Sequence, residues 1–149
     1  MNTIDLKRKK GDFGFEATDA NGHVIQLDTS DETGGINFGF RPMQSLLAGL
    51  GGCSGIDIVS ILKKQRLIVE EFSMKIKGER EKGKEPSLWE SVHIDFEITG
   101  NIEPEKAERA CALSINKYCS VAETLRRGGT KITWKVIVNG QIAKEQLLQ

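Results

Sequence analysis

Apolar and polar residues alternate through the first third of the chain. Phe13, Phe15 and Ala17 are spaced by Gly14 and Glu16, a period of two that predicts a strand with one covered face. Asn21-Gly22 supplies the positive φ angles of a tight turn, and His23 to Asp28 predicts the returning strand. The polar stretch Asp28-Thr29-Ser30-Asp31-Glu32-Thr33-Gly34-Gly35 predicts a loop. At Pro42 the pattern changes, because proline suits the first turn of a helix and is costly inside one. Met43 to Gln65 then carries Leu46, Leu47, Leu50, Ile56, Ile58, Val59, Ile61 and Leu62 on nearly every side. This predicts a long helix buried almost all round, polar only toward Lys63-Lys64-Gln65-Arg66. Gly51-Gly52 in its middle costs roughly 1 kcal/mol per glycine relative to alanine, a cost understandable where another backbone approaches closely or the helix bends.

Phe72, Met74 and Ile76 alternate with Ser73, Lys75 and Lys77, and Val92, Ile94, Phe96 and Ile98 alternate with Ser91, His93, Asp95 and Glu97. These are two amphipathic strands, expected to pair antiparallel across the charged turn Glu79 to Pro86. Pro104 opens a second helix, with Glu105 and Glu108 near its positive end, running through Ala107, Ala110, Cys111 and Ile115 to about Tyr118. A short helix comes next, from Ser120 to Arg126, and stops at Gly128-Gly129. Ile132, Trp134, Val136 and Val138 predict a last strand, stopped by Asn139-Gly140. The order β-β, long α, β-β, α, β reads as an α+β fold with antiparallel sheets.

Composition narrows the function. The chain has 149 residues, 21 Lys+Arg against 21 Asp+Glu, and a formal net charge of zero. That length suits one domain with its own core, and charge balance argues against nucleic acid or an anionic membrane surface as the main partner. Met1 to Arg8 lacks the apolar run of a secretory signal, and Leu46 to Leu62, broken by glycines, serines and Asp57, reads as too short and too polar for a bilayer span. A cytoplasmic protein with reduced thiols is the expectation. Phosphate-loop, dinucleotide and G-x-S-x-G signatures are absent from the sequence.

Three cysteines remain: Cys53, Cys111 and Cys119. An odd, widely spaced set with no C-x-x-C pair does not form a disulfide framework, and with His23 and His93 the only histidines, no zinc site is expected. Cys111, flanked by Ala110 and Ala112, reads as helix packing. His93 falls on a polar strand face and His23 comes after a turn, so neither is placed like a catalytic base, while Trp89 and Trp134 read as core or interface.

The segment from Pro42 through Gly51-Gly52-Cys53-Ser54-Gly55-Ile56-Asp57 to Lys64 resembles the central cysteine helix of the OsmC-like superfamily, which includes osmotically inducible protein C and the organic hydroperoxide resistance proteins. Lys117-Tyr118-Cys119-Ser120-Val121-Ala122-Glu123-Thr124-Leu125 is similar to that family's second cysteine segment. The resemblance covers nearly the whole of residues 1–149 as a single OsmC-like domain. It implies an intertwined homodimer, with long helices buried centrally and sites at the subunit interface. It also implies a thiol peroxidase without a cofactor: Cys53 peroxidatic, Cys119 resolving, organic hydroperoxides as substrate and an external dithiol as reductant. Hydroperoxide-reducing members place an arginine and a glutamate by the reactive thiol, the glutamate in an Asn-Pro-Glu helix opening. Here Arg41-Pro42-Met43-Gln44 stands instead, so Arg41 and Gln44 are the residues left to activate the thiol. Asp57, one turn beyond Cys53, would raise a neighbouring thiol's pKa if it faced the same way. The alternative reading is an OsmC-fold protein without efficient peroxidase activity, binding a small apolar or thiol ligand at the dimer interface.

Overall fold

The structure, a computed structural model, describes residues 1–146. The chain forms two compact units, Met1–Ala48 and Gly49–Gln149. In the first, β1 (Ile4–Lys10), β2 (Gly14–Asp19) and β3 (Val24–Leu27) make a three-stranded antiparallel sheet in the order β1-β2-β3. Asp28 closes this unit. Almost fully buried, its carboxylate accepts backbone N–H groups of Thr29 at 2.7 Å, Ile36 at 2.9 Å and Phe38 at 3.0 Å. Those bonds, led by Phe38 and Ile36, hold its carboxyl below the usual carboxylate range and wrap the polar loop around one side chain. The sheet leaves Leu6, Phe13 and Phe15 exposed around a groove of about 330 Å³.

Helix α1 (Pro42–Lys64) starts on proline, as the sequence predicts, with Gln44 Oε1 accepting the Arg41 N–H at 3.1 Å and Ser45 Oγ donating to the Pro42 carbonyl. It ends where Arg66 takes a φ of 60° and the Leu67 N–H turns back to the Leu62 carbonyl at 3.1 Å. With 23 residues and a mean hydropathy of 1.6 over its most apolar window, α1 is long and apolar enough, by length and composition, to cross a membrane. The sequence expectation of a stretch too short for that took Leu46 to Leu62 as its bounds, whereas the helix extends beyond both.

In the second unit, β4 (Glu71–Arg80), β5 (Trp89–Thr99), β6 (Lys131–Val138) and β7 (Gln141–Gln146) form one sheet in that order. β4 pairs antiparallel with β5, as expected, setting Met74 opposite Phe96 and Ile76 opposite Ile94. β5 and β6, however, run parallel, with Phe96 opposite Val136, which corrects the expectation of purely antiparallel sheets. The reason is the connection. It passes through α2 (Pro104–Leu113) and α3 (Ser120–Arg127), a crossover that returns the chain in its original direction where a hairpin would reverse it. Asn139-Gly140, with φ of 48° and 80°, is a hairpin turn into β7 and not a terminus.

The apolar face of this sheet receives α1. A Cβ added at Gly51 would lie 2.9 Å from Ile76 Cδ1, and one added at Gly55 would lie 2.9 Å from Met74 Cε. The close approach at Gly51, one turn before Gly55, is thus to a side chain of the sheet and not to another backbone as the sequence predicts. Leu50, Ile58 and Leu62 are fully buried in the core of this unit, as are Phe96, Ile94 and Ile98 of β5. The helix is nevertheless not buried all round. Ile56 is 70% exposed and Val59 40%, because one sheet covers only one side of a helix whose apolar residues surround it. On the far face of the sheet, Asp95 lies 3.1 Å from Lys77 Nζ and 3.0 Å from Lys135 Nζ.

Candidate functional site

The second cysteine segment begins with an irregularity. α2 is expected to continue to about Tyr118, but regular winding stops at Leu113 and Ser114–Tyr118 forms a π-helical turn. Such turns carry an extra residue and re-aim the chain beyond them. Here the Cys119 N–H closes the turn on the Ser114 carbonyl at 2.8 Å, and Cys119 becomes the residue that caps α3. Its Sγ accepts the Ala122 N–H at 3.4 Å.

Ser114 does the complementary work. Fully buried, its hydroxyl lies 3.3 Å from the Ser54 carbonyl and 3.1 Å from Asp57 Oδ2 on α1. Ser54, also fully buried, turns its own hydroxyl back onto the Leu50 carbonyl at 2.8 Å. The π turn is therefore stitched to α1 beside Cys53, where Gly51 and Gly55 let the helix settle against the sheet.

The outcome is a three-residue cluster. Cys53 Sγ, Cys119 Sγ and a carboxylate oxygen of Asp57 all lie within 4.8 Å of one another. Both cysteines are free thiols, Cys53 half-buried and Cys119 only 2% exposed. Burial, joined by the neighbouring Cys53, pushes the Cys119 thiol up to about 11 against the opposing Ala122 and Val121 N–H groups. Cys119 thus remains an S–H donor at neutral pH, facing a more accessible sulfur. Asp57 does face the same way as Cys53, as its spacing on the helix allowed. It also lines an open cavity of about 550 Å³ with Ser60, Ile61, Lys64, Gln65, Leu113 and Tyr118.

Arg41 and Gln44 belong to the first unit, where they line a cavity of about 730 Å³ with Val24, Ile25, Gln26, Asn37, Gly39 and Phe40. The Gln44 side chain is engaged there in capping the Arg41 N–H. Cys111 is fully buried on α2, its thiol pushed up to about 12 by desolvation, which suits packing and not reaction. His93 sits between Thr133 Oγ1 at 2.7 Å and Asp95 Oδ1 at 3.3 Å, and His23 bonds Asp19 at 2.9 Å. Ser114 is the residue that sequence reasoning missed. The available signal was a hydroxyl at an inward position between Ala110, Cys111 and Ile115 on an otherwise apolar helix face.

Set beside known proteins, residues 32–135 match the family described as OsmC-like protein. Protein YhfA of Escherichia coli (strain K12) is 36% identical over 114 residues, covering 76% of this chain and 81% of YhfA. A hypothetical protein from Aquifex aeolicus VF5 superposes with a TM-score of 0.75 at 31% identity, covering 93% of this chain and 98% of that one. A Legionella pneumophila structure described as an organic hydroperoxide resistance protein OsmC and predicted redox protein shares the fold, with a TM-score of 0.71 at 21% identity over 93% and 97% of the two chains.

Proposed function

We propose, from the premise that this chain belongs to the OsmC-like protein family, that it is a thiol peroxidase reducing organic hydroperoxides with Cys53 and Cys119, in defence against oxidative stress. The observation that carries this is the pair itself: an accessible and a buried free thiol within 4.8 Å of each other. In the first step the Cys53 thiolate attacks the terminal peroxide oxygen. The O–O bond breaks, Cys53 becomes a sulfenic acid, and the alkoxide leaves as an alcohol on taking a proton. In the second, the Cys119 sulfur displaces hydroxide from the sulfenic acid, giving a Cys53–Cys119 disulfide and water once the Cys119 proton is transferred. An external dithiol returns both thiols and is itself oxidised to a disulfide. The Cys119 S–H, kept protonated by burial, is the proton-bearing partner of the Cys53 sulfur in this cluster.

The reading extends to the assembly. It takes residues 1–149 as one OsmC-like domain working as a homodimer in the cytoplasm. The large apolar side chains left in solvent support the dimer: Leu6, Phe13 and Phe15 in the first unit, Ile56 and Val59 in the second. The test is to mix reduced protein with an organic hydroperoxide and measure peroxide and free thiols together. Wild type should consume peroxide and lose two thiols per chain, and Cys53→Ser should fall to the uncatalysed rate. Equal consumption by Cys53→Ser would sink the proposal.

One observation favours the second reading. Asp57 sets a carboxylate within 4.8 Å of both sulfurs, an acceptor for the S–H or N–H donors of a bound thiol compound. If reduced protein keeps its thiols through peroxide exposure and retains a small apolar or thiol compound through purification, ligand binding without efficient turnover is the function.

A further inference from the structure

The Asp57 carboxylate beside two thiols has a further logic if the cluster receives a cation. Cys53, Asp57 and Cys119 supply two sulfurs and one oxygen from two elements of the fold, all within 4.8 Å of one another. Tetrahedral zinc, with bonds of about 2.3 Å to sulfur and about 2.0–2.2 Å to carboxylate oxygen, holds its ligands roughly 3.5–3.8 Å apart. Side-chain rotations need shorten no gap by more than about an ångström to reach that geometry.

Three further features belong to metal sites. Asp57 is oriented by a buried partner, since the Ser114 hydroxyl lies 3.1 Å from its Oδ2. The elements beneath are fixed, Cys119 by capping α3 and Cys53 by its position between buried Ser54 and the Gly51 approach. The cavity of about 550 Å³ that Asp57 lines opens this ligand to solvent, the source of a water as fourth ligand. Two thiolates and a carboxylate carry three negative charges, which a divalent cation largely neutralises in one step while displacing the thiol protons.

We propose that reduced protein binds one thiophilic divalent cation, zinc foremost, through Cys53 Sγ, Cys119 Sγ and the Asp57 carboxylate, leaving one open coordination position. The set is wrong for magnesium or calcium, which take oxygen ligands in larger number. It also differs from a closed structural zinc site, which uses four protein ligands. The inference concerns the same residues as the peroxidase reading but does not depend on turnover, because binding is measured on reduced protein with no peroxide present.

The experiment titrates chelator-treated, reduced protein with Zn²⁺ against a chromophoric chelator, and with Co²⁺ to observe the thiolate-to-metal charge-transfer band. The expected result is one ion per chain, a charge-transfer band, and no response to Mg²⁺. Cys53→Ser should abolish the band or weaken binding at least about tenfold, and Ser114→Ala, which removes the hydroxyl that orients Asp57, should weaken it by about 10–100-fold. Because a change at buried Cys119 risks the fold, the half-buried Asp57 carries the decisive comparison: Asp57→Asn loses affinity and Asp57→His, which restores a ligand atom, recovers it. Cys111→Ser should bind as wild type does. Zinc binding unchanged in Asp57→Asn, or no binding by reduced wild-type protein, overturns the site. Loss of peroxidase activity in Cys53→Ser has no bearing on either outcome.

Discussion

Cys119 and Cys53 share a cluster yet differ in access, and the difference comes from single residues nearby. Cys119 takes a capping position at the end of a π turn, so its sulfur points inward to the Ala122 N–H. Cys53 comes after two glycines on α1 and is only half-buried, so it keeps contact with solvent. Ser114 links the two segments through Asp57 and Ser54. Replacing it by alanine removes that link while leaving a methyl group that fills most of the space. Ser114→Ala should therefore cost about 1 kcal/mol in urea-unfolding free energy, the usual net value of one buried hydrogen bond. A loss several times larger would mean that the serine supports packing beyond those bonds. Cys53 and Cys119 stood out in the sequence because chemistry restricts which residue types can serve. Ser114 did not, since a serine in a helix carries no comparable signature, and its role depends on a turn geometry that periodicity does not encode.

At the level of elements, α1 shows what a pattern can and cannot specify. Its start at Pro42, its length and its apolar character were legible in the sequence, as was the pairing of β4 with β5. Which side stays open was not, because apolar residues all round give no direction. The glycines supply it. Gly51 and Gly55 face Ile76 and Met74 on the sheet, whereas a Cβ at Gly49 or Gly52 meets nothing within 4 Å beyond its own stretch of helix, among the described residues. In an isolated chain, Gly52→Ala should stabilise by about 1 kcal/mol through helix propensity alone. In the proposed homodimer, the same methyl group falls on the open side of α1 near Ile56 and should obstruct the partner. Sedimentation of Gly52→Ala together with its thermal melt separates these cases: weaker association supports a dimer through this face, and a stabilised protein of unchanged mass argues against it. The strands that sequence reading passed over, β1 and β7, have a common reason. Nearly every residue in them is exposed, so the pairing is made by backbone and leaves little hydrophobic alternation to read.

For the molecule as a whole, each unit is tied by a carboxylate held in its charged form. Asp28 collects backbone N–H groups in the first unit. On the second, burial raises the Asp95 carboxyl, but Lys135 and Lys77 outweigh it and hold the group below the usual range. A lowered folded-state pKa means that the unfolded chain takes up the proton first as pH falls. The stabilisation is thus fully present above the ordinary carboxylate range, about pH 4, and is lost as pH drops through the lower folded value. Stability measured from pH 7 downward should stay level and then fall steeply on the acid side. Asp95→Asn should be less stable at neutral pH and should show a shallower acid limb. If its pH dependence matched that of wild type, the charge on Asp95 would not be coupled to folding. The parallel crossover that brings Lys135 beside Asp95 could not be seen from strand patterns, because alternation reveals a face and not a direction.

The two-unit division has a spectroscopic consequence. Trp89, Trp134 and the single tyrosine, Tyr118, all fall in Gly49–Gln149, and the aromatic residues of Met1–Ala48 are phenylalanines alone. Trp134 is buried with its indole N–H unbonded among the described residues, and Trp89 lies under the Arg80 guanidinium at 5.4 Å, so both indoles sense the packing of one sheet. Intrinsic fluorescence is consequently a reporter of the second unit only, while far-ultraviolet circular dichroism sums over both. Superimposable denaturation curves from the two probes would mark a single cooperative transition, and a displacement between them would time the melting of the amino-terminal sheet without any label being attached.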